Sequence, residues 1–198
     1  MKIFSFEGIE GVGKSTQINL LKDWFEKRNL KTIILREPGS TKASEKIRDI
    51  LLSNDISLAN ETELLLMFSA RAQLINEKIV NSKYDIILFD RYYDASIAYQ
   101  GYGRGLSKDF IYNLIEFTKC PIPKITFLLD LDVEDGFKRK SNDKKDRIEL
   151  SGLDFFNKVR NGYLNIASND PDRVKVINAN QSQSLIHNQI ISSIELLL

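Results

Sequence analysis

Gly8-Ile9-Glu10-Gly11-Val12-Gly13-Lys14-Ser15-Thr16 follows the apolar run Ile3 to Phe6 and opens a stretch in which Ile18, Leu21 and Phe25 recur at helical spacing. A strand, a glycine-rich loop and an amphipathic helix in that order form the full context of a phosphate-binding P-loop. Glycines let successive backbone N–H groups curl around phosphate oxygens, and the positive end of the following helix adds to their attraction. In this pattern Lys14 supplies a point charge for the β- and γ-phosphates, and the Ser15 hydroxyl is placed to ligate Mg²⁺. The chain is therefore expected to bind a nucleoside triphosphate.

Outward from this motif, short β-branched or aromatic runs alternate with longer helical patterns: Thr32 to Leu35, Asp85 to Phe89, Ile125 to Leu129 and Val174 to Ile177. With Ile3 to Phe6 they predict an α/β fold, a five-stranded parallel sheet with helices on both faces. The last helix pattern carries Ile186, Ile190 and Ile194 on one stripe. A row of Leu65, Phe68, Ala72, Ile75 and Ile79 marks another long helix, with Arg71 off that row. No Pro/Gly/Ser-rich linker interrupts the 198 residues, so 1–198 is read as a single domain. Ligands of such sheets lie beyond the carboxyl ends of the strands. There stand Arg36-Glu37-Pro38-Gly39, then Asp90-Arg91-Tyr92, then Asp130 and Asp132.

The bulk numbers exclude rather than assign. Lys and Arg total 28 against 27 Asp and Glu, a net charge of +1, which gives no global pull toward nucleic acid or a membrane surface. The single cysteine, Cys120, has no internal partner. No leader is expected before the strand at Ile3, nor a run long enough to span a bilayer, so a cytoplasmic location is expected.

Two nucleotide-handling classes then compete. A GTP-driven switch needs a guanine-reading Asn-Lys-x-Asp stretch, and Asn157-Lys158-Val159-Arg160 lacks the aspartate. A phosphotransferase needs an acceptor site and a cationic lid that excludes water during transfer. Basic residues crowd 136–149: Lys138, Arg139, Lys140, Lys144, Lys145 and Arg147.

Gly8 to Thr16, Arg36 to Gly39, Phe68-Ser69-Ala70-Arg71-Ala72-Gln73, Asp90-Arg91-Tyr92, Ser96 to Gln100 and Asp146-Arg147-Ile148-Glu149 together resemble thymidylate kinase, nearly end to end and in the family's order. The resemblance implies a P-loop nucleoside monophosphate kinase fold, ATP and Mg²⁺ as cofactors, dTMP as phosphoryl acceptor, dTDP as product and a homodimer. Another P-loop nucleoside monophosphate kinase or a deoxynucleoside kinase is the alternative, and a nucleotide-binding protein with a degraded acceptor site is a third reading.

By the same resemblance, Glu10 engages the acceptor sugar and its phosphate, Arg91 holds the reacting phosphates, and Asp90 shapes the Mg²⁺ shell with Glu37 near it. Arg36 and Pro38 border the acceptor pocket. Arg71 donates to the thymine base, Met67 or Phe68 covers its ring, and Ser96, Tyr99 and Gln100 contact the nucleotide. Tyr99 crowds the 2′ side of the sugar. Gly11 stands where some members of the family carry a catalytic arginine, and members with glycine place that cation in a mobile lid, here about 136–149. Arg139 is the first choice for it, with Lys144, Lys145 and Arg147 as alternatives.

Overall fold

The five runs become β1 (Lys2–Glu7), β2 (Thr32–Arg36), β3 (Ile86–Asp90), β4 (Ile125–Asp130) and β5 (Val174–Asn178) in a computed structural model that describes residues 1–140 and 145–195. All pairings are parallel and the order is β2-β3-β1-β4-β5. From β1 the chain crosses to the edge strand β2, returns to β3 between them, and then passes over β1 to β4 and β5, so crossovers run in opposite directions and helices lie on both faces. The reversal falls beside β1, where an open sheet leaves a crevice for ligand. Glu7, Arg36, Asp90, Asp130 and Asn178 end the strands on that one edge.

The helices are α1 (Lys14–Glu26), α2 (Lys42–Leu52), α3 (Asn60–Leu74), α4 (Tyr93–Ser96), α5 (Lys108–Phe117), α6 (Val133–Arg139), α7 (Leu153–Asn169) and α8 (Gln183–Glu195). π-helical segments extend α3 over Ile75–Ile79 and α4 over Ile97–Gly103. Strands buried on both faces need apolar runs; β3 supplies a continuous one, and β1 one broken only by Ser5, whose buried hydroxyl pairs with that of Thr126 at 2.7 Å. Phe4 and Phe6 are fully buried: Phe4 stacks on Phe25 of α1 with ring centroids 5.7 Å apart, and Phe6 meets Phe127 of β4 at 5.2 Å. Each such phenylalanine contributes about 1.5–3 kcal/mol by leaving water. These contacts clamp α1 to the sheet and so fix the loop that precedes it.

Ile18, Leu21 and Phe25 form the buried stripe of α1, and Ile186, Ile190 and Ile194 that of α8, as their spacing implies. The phase of α3 differs from expectation. Its buried face carries Leu64, Phe68, Arg71 and Leu74, while Leu65 is half exposed. Arg71 therefore lies on the inward face. A periodicity that counts only apolar residues skips a buried arginine, because the carboxylate that makes its burial tolerable comes from another strand's end. Among the described residues no helix is long and apolar enough to cross a membrane.

Candidate active site

The loop between β1 and α1 is shaped by close backbone approaches. Gly8 has φ 130°, Gly11 φ 74° and Gly13 φ 90°, in the region that side chains disfavour. A Cβ on Gly11 would run into the carbonyl of Gly136, and one on Gly136 into the carbonyl of Glu10, so α6 presses on the loop without any intervening side chain. Lys14 is buried, and its Nζ donates to the carbonyls of Ile9 (2.8 Å) and Gly8 (3.1 Å), which occupy donors that phosphate oxygens would otherwise accept. Burial and the neighbouring Arg91 lower the Lys14 ammonium to about 8, against the pull of Glu10, Asp90 and Glu7. Ser15 Oγ donates to Asp90 Oδ2 at 3.0 Å, across from β3.

Glu10, Gly11, Val12, Gly13, Lys14, Ser15 and Thr16 line a cavity completed by residues from five other segments: Arg36 and Glu37, Arg48, Asp90 and Arg91, Arg139 and Lys140, and Asp146 and Glu149. Gly8 and Ile9 stand behind this cradle: Ile9 is a core side chain, and the Gly8 carbonyl accepts from Lys14 and Arg91.

Arg91 follows β3 with φ 64°, a left-handed conformation that a non-glycine residue keeps only when its surroundings over-determine it. They do. Its Nη2 pairs with the Glu10 carboxylate, and its Nη1 donates to the Gly8 carbonyl at 2.9 Å and the Tyr163 hydroxyl at 3.4 Å. Burial opposes ionisation of Glu10, but Arg91, Lys14 and Lys140 outweigh it and hold the carboxyl at about 2. Beneath them lies Glu7, fully buried at the end of β1. It accepts from the Tyr92 N–H and the Tyr163 hydroxyl, both at 2.7 Å. Burial, reinforced by Asp94, pushes the Glu7 carboxyl up to about 8.

A second cavity adjoins the first and shares part of its lining. Pro38, Met67, Arg71, Ser96, Tyr99 and Gln100 contribute to its wall. Arg71 is buried, donating from Nε to Glu37 Oε2 at 2.7 Å and from Nη2 to Ser96 Oγ at 3.1 Å, while its Nη1 is buried without a partner. Desolvation works against the Arg71 charge and the Glu37 carboxylate more than restores it, while burial raises the Glu37 carboxyl above its usual range against the pull of Arg71. The Tyr99 hydroxyl is likewise buried and unpartnered, and its ring lies 5.0 Å from the Arg91 guanidinium. Unpaired polar atoms at a cavity wall cost stability unless a ligand meets them.

Several sequence expectations change here. Met67 lines the cavity, whereas Phe68 packs in the core with the Arg71 guanidinium 4.5 Å above its ring. Arg36 borders the phosphate cradle and not the second cavity, because it ends β2 exposed and turns to Glu45 at 2.9 Å. Arg147 is drawn away from the cradle by Glu63 (2.7 Å) and the Leu51 carbonyl (2.8 Å). The Lys145 ammonium sits 5.1 Å over the Phe137 ring, and Lys144 lies outside the described residues. Asp130 and Asp132 pair with Arg160 at 2.8 and 3.2 Å. Arg139 does reach the cradle, where it donates to the Ala179 carbonyl (3.1 Å) and Asn180 Oδ1 (3.2 Å).

Residues that pattern reading passed over also belong here. Arg48 of α2 lines both cavities and donates to the Pro38 carbonyl at 3.0 Å. Lys140 pairs with Glu149 and lies 3.6 Å from Glu10. For Arg48 no local signal exists; for Lys140 the signal is the basic run itself, in which sequence does not separate it from Arg139.

A metal would find Ser15 and Asp90 side by side at the cradle, and Glu37 with Oε1 buried and unpartnered at its edge. Among the described residues no group of three or more His, Cys, Asp or Glu is placed to hold a metal alone. That donor set suits Mg²⁺, which keeps several waters and takes substrate phosphates beside one or two protein oxygens.

Known proteins resemble this chain along its length. The model of the family described as thymidylate kinase matches residues 6–190. A thymidylate kinase of Kosmotoga olearia is 44% identical over 198 residues, covering 98% of this chain and 95% of that one. Another, from Vesicomyosocius okutanii, is 46% identical over 186 residues, covering 91% of each. The crystal structure of thymidylate kinase from Ehrlichia chaffeensis superposes with a TM-score of 0.80 at 30% identity, covering 98% of each chain.

Proposed function

This chain belongs to the thymidylate kinase family, and we propose that it moves the γ-phosphoryl of ATP onto dTMP across the wall its two cavities share. It is a phosphotransferase acting on dTMP, with dTDP as product. The observation that carries the geometry is the overlap: Glu10, Glu37, Arg48, Arg91, Asp146 and Glu149 line both cavities. A triphosphate in the P-loop cradle and a monophosphate entering from the second cavity would meet there, beside the cations of Arg91 and Arg48.

The chemistry asked of the protein is positioning and charge stabilisation. The acceptor phosphate is already a nucleophilic anion, so no general base is needed. Lys14 and the backbone of Gly11 to Thr16 hold the triphosphate, and Arg91, fixed by Glu10, Gly8 and Tyr163, presents a planar fork to the phosphates as they react. Ser15 and Asp90 would hold Mg²⁺, with Glu37 at the margin, and the ion when bound would neutralise phosphate charge there. Met67 covers the base, Arg71 donates to it from Nη1, and Ser96, Tyr99 and Gln100 complete the nucleoside contacts.

The catalytic cation comes from the lid. Gly11 cannot carry an arginine while α6 keeps its backbone against the loop. Arg139 and Lys140 both line the cradle, but Lys140 is neutralised by Glu149 and Glu10, whereas the partners of Arg139 are neutral oxygens. An uncompensated charge is the one available to a transition state, and a group of this kind is worth about 4–7 kcal/mol. The reaction is assigned to the cytoplasm, and to a homodimer as in the family. Steady-state kinetics of Arg139→Ala and Lys140→Ala test the assignment: kcat should collapse in the first and fall far less in the second, and the reverse order transfers the role to Lys140.

A further inference from the structure

Glu63 of α3 is almost fully buried, yet it belongs neither to the cradle nor to the lining of the acceptor cavity. Three side chains converge on it. Gln100 Nε2 donates to Oε1 at 2.9 Å, Arg104 donates from Nε and Nη2 at 3.3 and 3.2 Å, and Arg147 donates from Nη2 at 2.7 Å. Burial works against its charge, but the hydrogen bonds from Gln100, Arg104 and Arg147 hold the carboxyl below its usual range. Glu63 is therefore an acceptor only.

That chemistry has a consequence for Gln100, whose side-chain amide has one donor end and one acceptor end. A carboxylate cannot receive the acceptor end, so the NH₂ must face Glu63. The carbonyl oxygen Oε1 is then the end left for the cavity that Gln100 lines, and it has no partner among the described residues. On the same wall, Arg71 Nη1 is a donor without a partner. We propose that Glu63 is a positioning residue that sets the base preference of the acceptor cavity by locking the Gln100 amide with its carbonyl oxygen toward the bound pyrimidine. The inference rests on the dTMP-kinase reading and deepens it. A base edge with an N–H beside a carbonyl, as in thymine or uracil, complements an acceptor beside a donor. Cytosine presents a ring-nitrogen acceptor beside an amino donor, the inverse pattern, and leaves buried groups mismatched.

Replacing Glu63 by glutamine frees the orientation, because an amide at 63 can donate to the Gln100 carbonyl and let Gln100 turn. The experiment measures kcat/KM for dTMP and for dCMP, with ATP and Mg²⁺, in wild type, Glu63→Gln, Gln100→Met and the double variant. The dTMP-to-dCMP ratio should fall at least about tenfold in Glu63→Gln, and the double variant should match Gln100→Met alone. Arg104→Met, which weakens the same ion-pair cluster without touching the amide, should lower the melting temperature and leave the ratio unchanged. An unchanged ratio in Glu63→Gln, or effects of the two sites that multiply in the double variant, overturns the proposal. Wild-type protein supplies a test that needs no variant: N3-methyl-dTMP cannot donate to Oε1 and should lose more than about 100-fold in kcat/KM. Normal turnover of that analogue also overturns the proposal. Wild-type protein inactive toward dTMP itself strikes down the functional reading, and this inference with it.

Discussion

In the phosphate cradle, the groups that would grip a triphosphate come mostly from one contiguous segment, residues 11–16, and much of the grip is backbone. In the adjoining acceptor cavity they come from separate places: Pro38 after β2, Arg48 on α2, Met67 and Arg71 on α3, Ser96 to Gln100 after β3, and the turn at Asp146 to Glu149. The first is held in shape by glycine conformations and by α6 pressing on the loop. The second is held by buried ion pairs, Arg71 with Glu37 and Glu63 with Arg104 and Arg147. A site whose polar groups anchor one another cannot be altered without a cost to the fold, whereas a site built on backbone can lose a side chain and remain standing. Substitutions should therefore separate the two regions by whether chemistry or stability suffers.

The largest effect belongs to the cradle. Lys14→Ala should reduce ADP release from ATP and dTMP to background while the melting temperature stays near that of the wild type; near-normal turnover by the folded variant would contradict the P-loop assignment. Next is Arg139→Ala, expected to lower kcat by about a thousandfold with a much smaller change in either KM. In the acceptor cavity, Arg71→Ala should raise the KM for dTMP and also destabilise the protein by about 3–5 kcal/mol, because Glu37 is left buried without its counter-charge. A variant with high KM but wild-type denaturant midpoint would break the comparison.

The smallest effects are pH-dependent. Lys14 has its pKa lowered from 10.5 to about 8, so the free protein loses the ammonium above about that pH, and kcat/KM for ATP should decline there. Glu7 runs the other way. With its pKa raised from 4.5 to about 8, the folded state holds a proton the unfolded chain has released; its stabilisation is complete below 4.5 and is lost as pH rises toward 8. Glu7→Gln, which keeps an acceptor for the Tyr92 N–H, should flatten that decline when melting temperature is followed across this interval. An unaltered profile would mean that Glu7 is ionised beneath the loop.

The same contrast governs how much of the molecule was legible in its sequence. The five strands, α1 and α8 followed from local periodicity, and the cradle from a motif whose spacing is dictated by phosphate geometry. The acceptor cavity was visible only through resemblance, and there the phase of α3 misled. Periodicity places Arg71 only off the apolar row, and its burial becomes legible once Glu37, distant in sequence, is seen at 2.7 Å. Met67 and Phe68 could not be ranked, because one residue of helix rotation separates cavity from core. Arg48, Glu7 and Glu63 gave no local signal, since their roles exist only through partners brought by the fold.

The most direct measurement is ADP release from ATP and Mg²⁺ with dTMP, dUMP, dCMP, AMP, GMP and thymidine offered separately as acceptors. dTMP should lead clearly in kcat/KM, with thymidine inert for want of an acceptor phosphate. If ATP binds but dTMP is not phosphorylated, or a purine monophosphate leads, the cavity built on Arg71 and Tyr99 is not a thymidylate site and only the cradle stands.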